Sequence, residues 1–244
     1  MNLTLEIIGF NIESCITAQN NGAGRIELCA SPGEGGTTPP LSLIKAARKI
    51  LQIPLYIMVR PRGGDFLYTD NEFEMMIDDV KACRQSGADG VVIGILNPEG
   101  DVDTIRCSKL VETAYPMGVT FHRAFDRVRD YKKSLKDVIS TGCERILTSG
   151  LSPNCIDGIH IIKELVDLAN DDIIIMPGSG VRSSNIKEII QKSGAVEIHS
   201  SASRNVASLM KYQNSTMNES LDHVSVNGDE VLAMSAILQT ITTS

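Results

Sequence analysis

The sequence predicts an α/β protein: a single (βα)8 TIM barrel over residues 1–244, with a parallel eight-stranded core and outer helices. Three observations carry this prediction. Eight short apolar runs follow one another along the chain, amphipathic stretches separate them, and one turn signal recurs before every second run. A length of 244 residues is a common size for such a barrel and is enough to bury its core.

The runs are residues 3–8, 25–29, 55–60, 90–96, 119–122, 145–149, 173–176 and 196–200. They are rich in Ile, Val and Leu without strict alternation, as parallel strands covered by helices should be. Amphipathic stretches lie between them, for example at 41–51, 71–86 and 156–169. Thr69 with Glu72 fits a capping box, and Asp130 fits an N-cap before Tyr131. The recurring signal is Gly22-Ala23, Gly87-Ala88, Gly142-Cys143 and Gly194-Ala195. Each is a glycine where a helix should stop, then a small residue, then a strand. These pairs precede strands two, four, six and eight, as expected of a barrel built from (βα)2 units with alternate strands filling alternate core layers. An open doubly wound sheet, the alternative, gives no reason for that alternation. Residues 203–230 break the rhythm. They are polar, show no clear period and join strand eight to a last helix at 231–240. Such a length is unusual for a connection, so the segment either lies over the barrel mouth or is an insertion.

Composition narrows the partners. Hydrophobic residues make up 42% and charged residues 22%, which is ordinary for a globular chain. A net charge of −7 with no basic tract argues against a nucleic-acid or anionic-membrane partner. No apolar run approaches the roughly 18 residues of a membrane span. The first residues read as a strand and not as a signal peptide. Cys15, Cys29, Cys83, Cys107, Cys143 and Cys155 form no C-x-x-C pair, so they read as free thiols in a reducing, cytoplasmic setting.

A charged residue in a barrel strand has apolar neighbours on both sides and needs a reason; near the C-terminal ends that reason is usually the site. Glu6, Glu27, Arg60, His122, Glu197 and His199 are such residues. The cluster Arg60-Pro61-Arg62-Gly63-Gly64-Asp65-Phe66 sets two guanidiniums beside a glycine turn, which suits a carboxylate or phosphate. The plainer reading pairs Arg60 with Glu27 on the adjoining strand, as a buried ion pair near the axis. The run His122-Arg123-Ala124-Phe125-Asp126 puts a proton-transfer residue at a strand end; a lone histidine is more often a satisfied core residue. Small residues follow the last three strands: Ser149-Gly150, Pro177-Gly178-Ser179-Gly180 and Ser200-Ser201. Loops after strands seven and eight frequently hold phosphate in this fold, although glycine and serine also make plain tight turns.

These segments together resemble the CutC family. The likeness is carried by residues 25–29, 60–66, 120–126, 145–150 and 176–178, and runs from about Glu6 to Ala202. The resemblance implies a TIM barrel, a homo-oligomer (dimer or tetramer), and a role in copper homeostasis with cuprous ion, Cu+, as the bound metal. Members with a proposed copper site carry a cysteine ending strand one, where this chain has Ile8; the cysteine ending strand two is retained as Cys29. One thiolate is a poor cuprous site unless Met58 or a partner subunit contributes. Two readings follow. The first is a copper homeostasis protein with Cys29 as metal ligand. The second is an enzyme or binder for a small anionic or sugar-like molecule. There Glu27, His122 and Asp126 are the catalytic candidates, and Arg60 and Arg62 form an anion clamp. Asp65, Arg123, Ser149, Gly178, Ser179, Gly180, His199 and Ser200 complete that binding site.

Overall fold

The structure, a computed structural model, describes residues 3–242. Eight parallel strands form the barrel: β1 (Thr4–Gly9), β2 (Arg25–Leu28), β3 (Leu55–Met58), β4 (Gly90–Ile93), β5 (Gly118–Phe121), β6 (Arg145–Thr148), β7 (Ile174–Pro177) and β8 (Glu197–Ser200). Each pairs with its predecessor up to β7, and β1 also pairs with β8. β7 and β8 lie against each other with no ladder pair among the described residues, so the barrel is nearly closed. The outer layer is α1 (Ile12–Asn20), α2 (Leu41–Ile50), α3 (Asp70–Gln85), α4 (Thr104–Ala114), α5 (Tyr131–Thr141), α6 (Ile159–Ala169), α7 (Ile186–Ser193) and α8 (Gly228–Thr242).

The barrel expectation is met, with one systematic difference. The apolar runs at 25–29, 55–60 and 90–96 overshoot the observed strands at their C-terminal ends. Those last residues leave the ladder to build the loops of the mouth. Pro61, which has no N–H to offer a neighbour, follows Arg60 where β3 has already ended.

Helix starts follow the local chemistry. Asn11 caps α1 by accepting from Ser14 N at 2.7 Å, Thr69 and Glu72 form the capping box of α3, and Asp130 caps α5. The four repeated glycines Gly22, Gly87, Gly142 and Gly194 all sit at positive φ, between 74° and 97°. A side chain there would clash with its own backbone, so glycine ends each helix. The small residue after each, Ala23, Ala88, Cys143 or Ala195, is buried under the barrel. Two residues further on, Arg25, Gly90, Arg145 and Glu197 open the four even strands. The turn therefore fixes where each even strand begins and which residue it turns toward the axis.

The apolar core lies between strands and helices, where Ile7, Ile26, Ile57, Val91, Phe121 and Ile198 meet Cys15, Ile44, Met76, Leu110 and Leu165. Residues 203–230 are neither wholly a lid nor wholly an insertion. They form an antiparallel ribbon, β9 (Ser203–Val206) with β10 (His223–Val226), followed by the start of α8. The ribbon is anchored on α1, where Ser14 Oγ accepts from Val226 N at 3.2 Å. Its base stands beside the barrel mouth, while Leu209 and Tyr212 near its far end are exposed.

Candidate active site

The floor of the mouth is a layer of charge. Arg25 donates to Glu6 and to Glu197, and Arg145 donates to Glu197 at 3.0 Å. Both guanidiniums lie on the Tyr56 ring, at 5.1 and 5.0 Å from its centre. Gly90 and Gly118 make room for that ring, since a methyl on either would run into it. The layer is closed to solvent, and the charges satisfy one another.

Above the floor, the even strands contribute Glu27 and His199, two residues beyond Arg25 and Glu197. Both are buried. His199 Nδ1 lies 2.8 Å from Glu6 Oε1, and His199 Nε2 lies 3.9 Å from Glu27 Oε2. Burial alone would raise the Glu6 pKa, but the Arg25 charge and the His199 hydrogen bond bring it down to about 2. Glu27 has no guanidinium bonded to it, and the Arg25 charge lowers it least among its neighbours. Burial pushes its carboxyl up to about 7, with the His199 charge opposing that rise and the Glu6 charge adding to it. Burial lowers His199, yet the Glu27 charge and the Glu6 hydrogen bond outweigh it and hold the ring above its ordinary value. The result is a coupled acid–imidazole pair on a fixed carboxylate.

His122, at the end of β5, behaves differently. Burial and the nearby Arg60 charge bring its pKa down to about 3, so the ring is neutral. It meets the Phe66 ring at 4.9 Å, tilted by 50°, and packs over Gly94. These residues border a cavity of about 340 Å³ at the C-terminal ends of the strands, walled also by Ile8, Phe10 and, from the ribbon, Ser203 and Val224. Three buried polar atoms of the lining residues have no hydrogen-bond partner: Glu27 Oε1, His122 Nε2 and Arg60 Nε. Of six non-glycine residues with positive φ among the described residues, Ser31, Leu151, Ser179 and Ala202 fall in loops following barrel strands, and Asn170 and Asp171 in the turn before β7. Backbone strain of this kind gathers at functional sites.

Of the residues singled out from the sequence, Glu27, Arg60, His122, Arg123, Ser179, Gly180 and His199 come together on this cavity. The expected Glu27–Arg60 pair does not form. Arg60 instead donates to three backbone carbonyls, Glu34 O at 2.8 Å, Gly36 O at 3.0 Å and Gly64 O at 2.9 Å, and lies over the Phe66 ring. It holds the loops after β2 and β3 against each other. Arg62 is not half of an anion clamp. It points away from the cavity into Glu72 and Asp65, at 2.6 and 2.9 Å, and Asp65 is exposed. Asp126 accepts from Thr148 Oγ1, Ser149 N, Leu151 N and Arg123, which makes it the strut of the loop after β6. Ser149 belongs to that strut, and Ser200 Oγ is spent on Val181 O at 2.8 Å. Gly178 lets Leu147 and His199 approach closely. Cys29 is buried behind Gly36, beside Glu27 and in one cluster with Met58 and Ile8.

The site list from the sequence omitted Glu6, which fixes His199, and Phe66, which backs His122. Glu6 carried a signal, a carboxylate inside an apolar strand. Phe66 carried none, because its role depends on how the loop after β3 folds back.

Fold and mouth together define a class: (βα)8 barrels with a buried carboxylate–imidazole site at the C-terminal ends of the strands. Within that class the chain belongs to the CutC family, whose pattern matches residues 3–204. A family protein CutC from Chromobacterium violaceum is 47% identical over 213 residues, covering 87% of this chain and 86% of that one. The copper homeostasis protein cutC homolog of Mus musculus is 43% identical over 221 residues, covering 90% and 81%. The crystal structure of CutC from Streptococcus agalactiae superposes with a TM-score of 0.78 at 34% identity, covering 82% of this chain and 98% of that one. Among the described residues, no helix is long and apolar enough to cross a membrane.

Proposed function

We propose that the barrel mouth binds a small oxygen-rich molecule, anionic or sugar-like, and exchanges protons with it through Glu27. One observation carries the reading: a buried acceptor, Glu27 Oε1, and a buried donor nitrogen, His122 Nε2, both unpartnered, belong to residues lining one cavity. Leaving such groups unpaired costs roughly 1–3 kcal/mol each, a cost a ligand removes by pairing them. A cavity of about 340 Å³ suits a molecule of a few carbons. Calorimetric titration with small sugars, sugar acids and hydroxy acids tests this. Saturable binding is expected, weakened at least tenfold in His122→Leu. Binding that ignores this substitution, or none from any compound class, overturns the reading. The protein is proposed to act in the cytoplasm as a homo-oligomer, which fractionation and light scattering check.

A second reading is copper handling. It rests on the mouse relative's name and on Cys29 sharing a cluster with Met58. Cuprous ion favours two or more soft donors. Here one thiol and one thioether are available, and Ile8 occupies the place of a second cysteine. Burial and the Glu27 carboxylate push the Cys29 thiol well above its ordinary range. Cys29 and Met58 therefore make a two-donor set, but a thiol that holds its proton makes it a weak one. Titration of the reduced protein with Cu+ against a competing chelator should show weak binding that Cys29→Ser abolishes; tight binding would restore copper as the primary reading.

A further inference from the structure

The two histidines of the mouth are fixed in opposite roles. The backbone N–H of Ala124 donates to His122 Nδ1 at 3.2 Å, so that nitrogen presents a lone pair. The ring is neutral, and its single proton therefore sits on Nε2, the atom without a partner. His199 is the reverse. Glu6 is ionised beside Arg25, and an ionised carboxylate only accepts, so His199 Nδ1 donates to it. His199 Nε2 is left facing Glu27 Oε2, while Glu27 Oε1 stays unpartnered.

A carboxylate base and a neutral imidazole N–H on one cavity suit one reaction class. The base takes a proton from carbon, and the N–H holds the neighbouring carbonyl oxygen as it gains charge. A neutral imidazole does this without adding a second full positive charge to the site. The hydroxyls of Ser201 and Ser203, paired at 3.1 Å, border the same space and offer contacts to a substrate hydroxyl. Resting on the small-molecule reading of the mouth, we propose that this barrel enolises a small α-hydroxycarbonyl compound, with Glu27 as the base and His122 as the donor to the carbonyl oxygen. Glu27 removes the proton from the carbon next to the carbonyl. The C–H electron pair becomes the C=C bond, and the carbonyl π pair moves onto oxygen, held by His122 Nε2–H. Return of the proton to the same carbon restores the substrate. Return to the adjacent carbon, with the hydroxyl proton passing between the two oxygens, converts aldose to ketose. No oxidant, reductant or second reactant is consumed.

The test follows dihydroxyacetone, glycolaldehyde and hydroxyacetone in D2O by proton NMR. Loss of the C–H signals reports exchange, and saturation transfer from the protein reports contact. The wild-type chain is expected to speed exchange at least tenfold over buffer for one of the three. Glu27→Gln should lower the catalysed rate roughly 10²–10⁴-fold, to the buffer level, with saturation transfer to the same compound retained. Contact without exchange in the wild type overturns enolisation and leaves the small-molecule reading standing. Exchange that survives Glu27→Gln, in a variant whose circular dichroism matches the wild type, also overturns it. Absence of both contact and exchange for all three compounds overturns both.

Discussion

Replacing Glu27 by Gln should stabilise the fold above neutral pH and change little at pH 5. The carboxyl titrates at 4.5 in the unfolded chain and at about 7 in the fold, chiefly because it is buried. Between those values the folded state holds a proton that the unfolded state has released. Stability from this group is therefore fully present below pH 4.5 and lost as pH rises through 7. At roughly 1.4 kcal/mol per pH unit, the loss amounts to about 3 kcal/mol by pH 8.5. The amide never ionises and avoids that loss, and the attraction of Glu27 for His199 is already contained in the value of about 7, so the gain is about 3 kcal/mol. For a barrel of this size that is a rise in Tm of about 6–12 °C at pH 8.5. Calorimetric melts of both proteins from pH 5 to pH 8.5 give the difference curve directly. A difference that is flat with pH, or a lower Tm for the variant at pH 8.5, would falsify the account, because Glu27 would then be a paired structural charge.

Three further outcomes are expected. Glu197→Gln should lower stability by roughly 3–5 kcal/mol in urea melts, because Arg25 and Arg145 both depend on that carboxylate in the barrel floor. Gly90→Ala should cost roughly 1–3 kcal/mol through collision with the Tyr56 ring, and Tyr56→Leu in the same chain should recover part of that loss in a double-mutant cycle. All six cysteines are buried, and burial pushes Cys15 and Cys83 up to about 12, so a thiol reagent at pH 8 should react slowly until denaturant is added; rapid labelling of the native protein would contradict the packing.

The barrel was legible because its grammar is local. Gly22, Gly87, Gly142 and Gly194 mark the same backbone need four times, and the apolar runs need only be counted. The site was legible in part for the same reason. Glu27, His122 and His199 are charged or titratable residues in or at the end of apolar strands, and strand parity puts them at the mouth. Arg62 misled, and the Glu27–Arg60 pair did not form, because a guanidinium's partner is set by loop geometry. Three carbonyls from the β2 and β3 loops capture Arg60, and the first turn of α3 captures Arg62 through Glu72. Asp126 misled likewise, since the backbone it supports lies beyond another strand. The ribbon of residues 203–226 was hidden because a short two-stranded ribbon with one face in solvent leaves little apolar pattern to read.

The missing ladder between β7 and β8 has a mechanical consequence. Elsewhere the barrel is laced by backbone bonds, whereas here Ser200 Oγ pins β8 to Val181 O and Gly178 lets His199 and Leu147 close the gap. The seam thus runs directly beside His199. Any side chain at position 178 would act as a wedge in it, pushing Leu147 aside first and pressing on the imidazole that Glu6 and Glu27 hold. The acid–base geometry of the mouth is tuned at a joint, and the smallest residue in the alphabet is what keeps that joint shut.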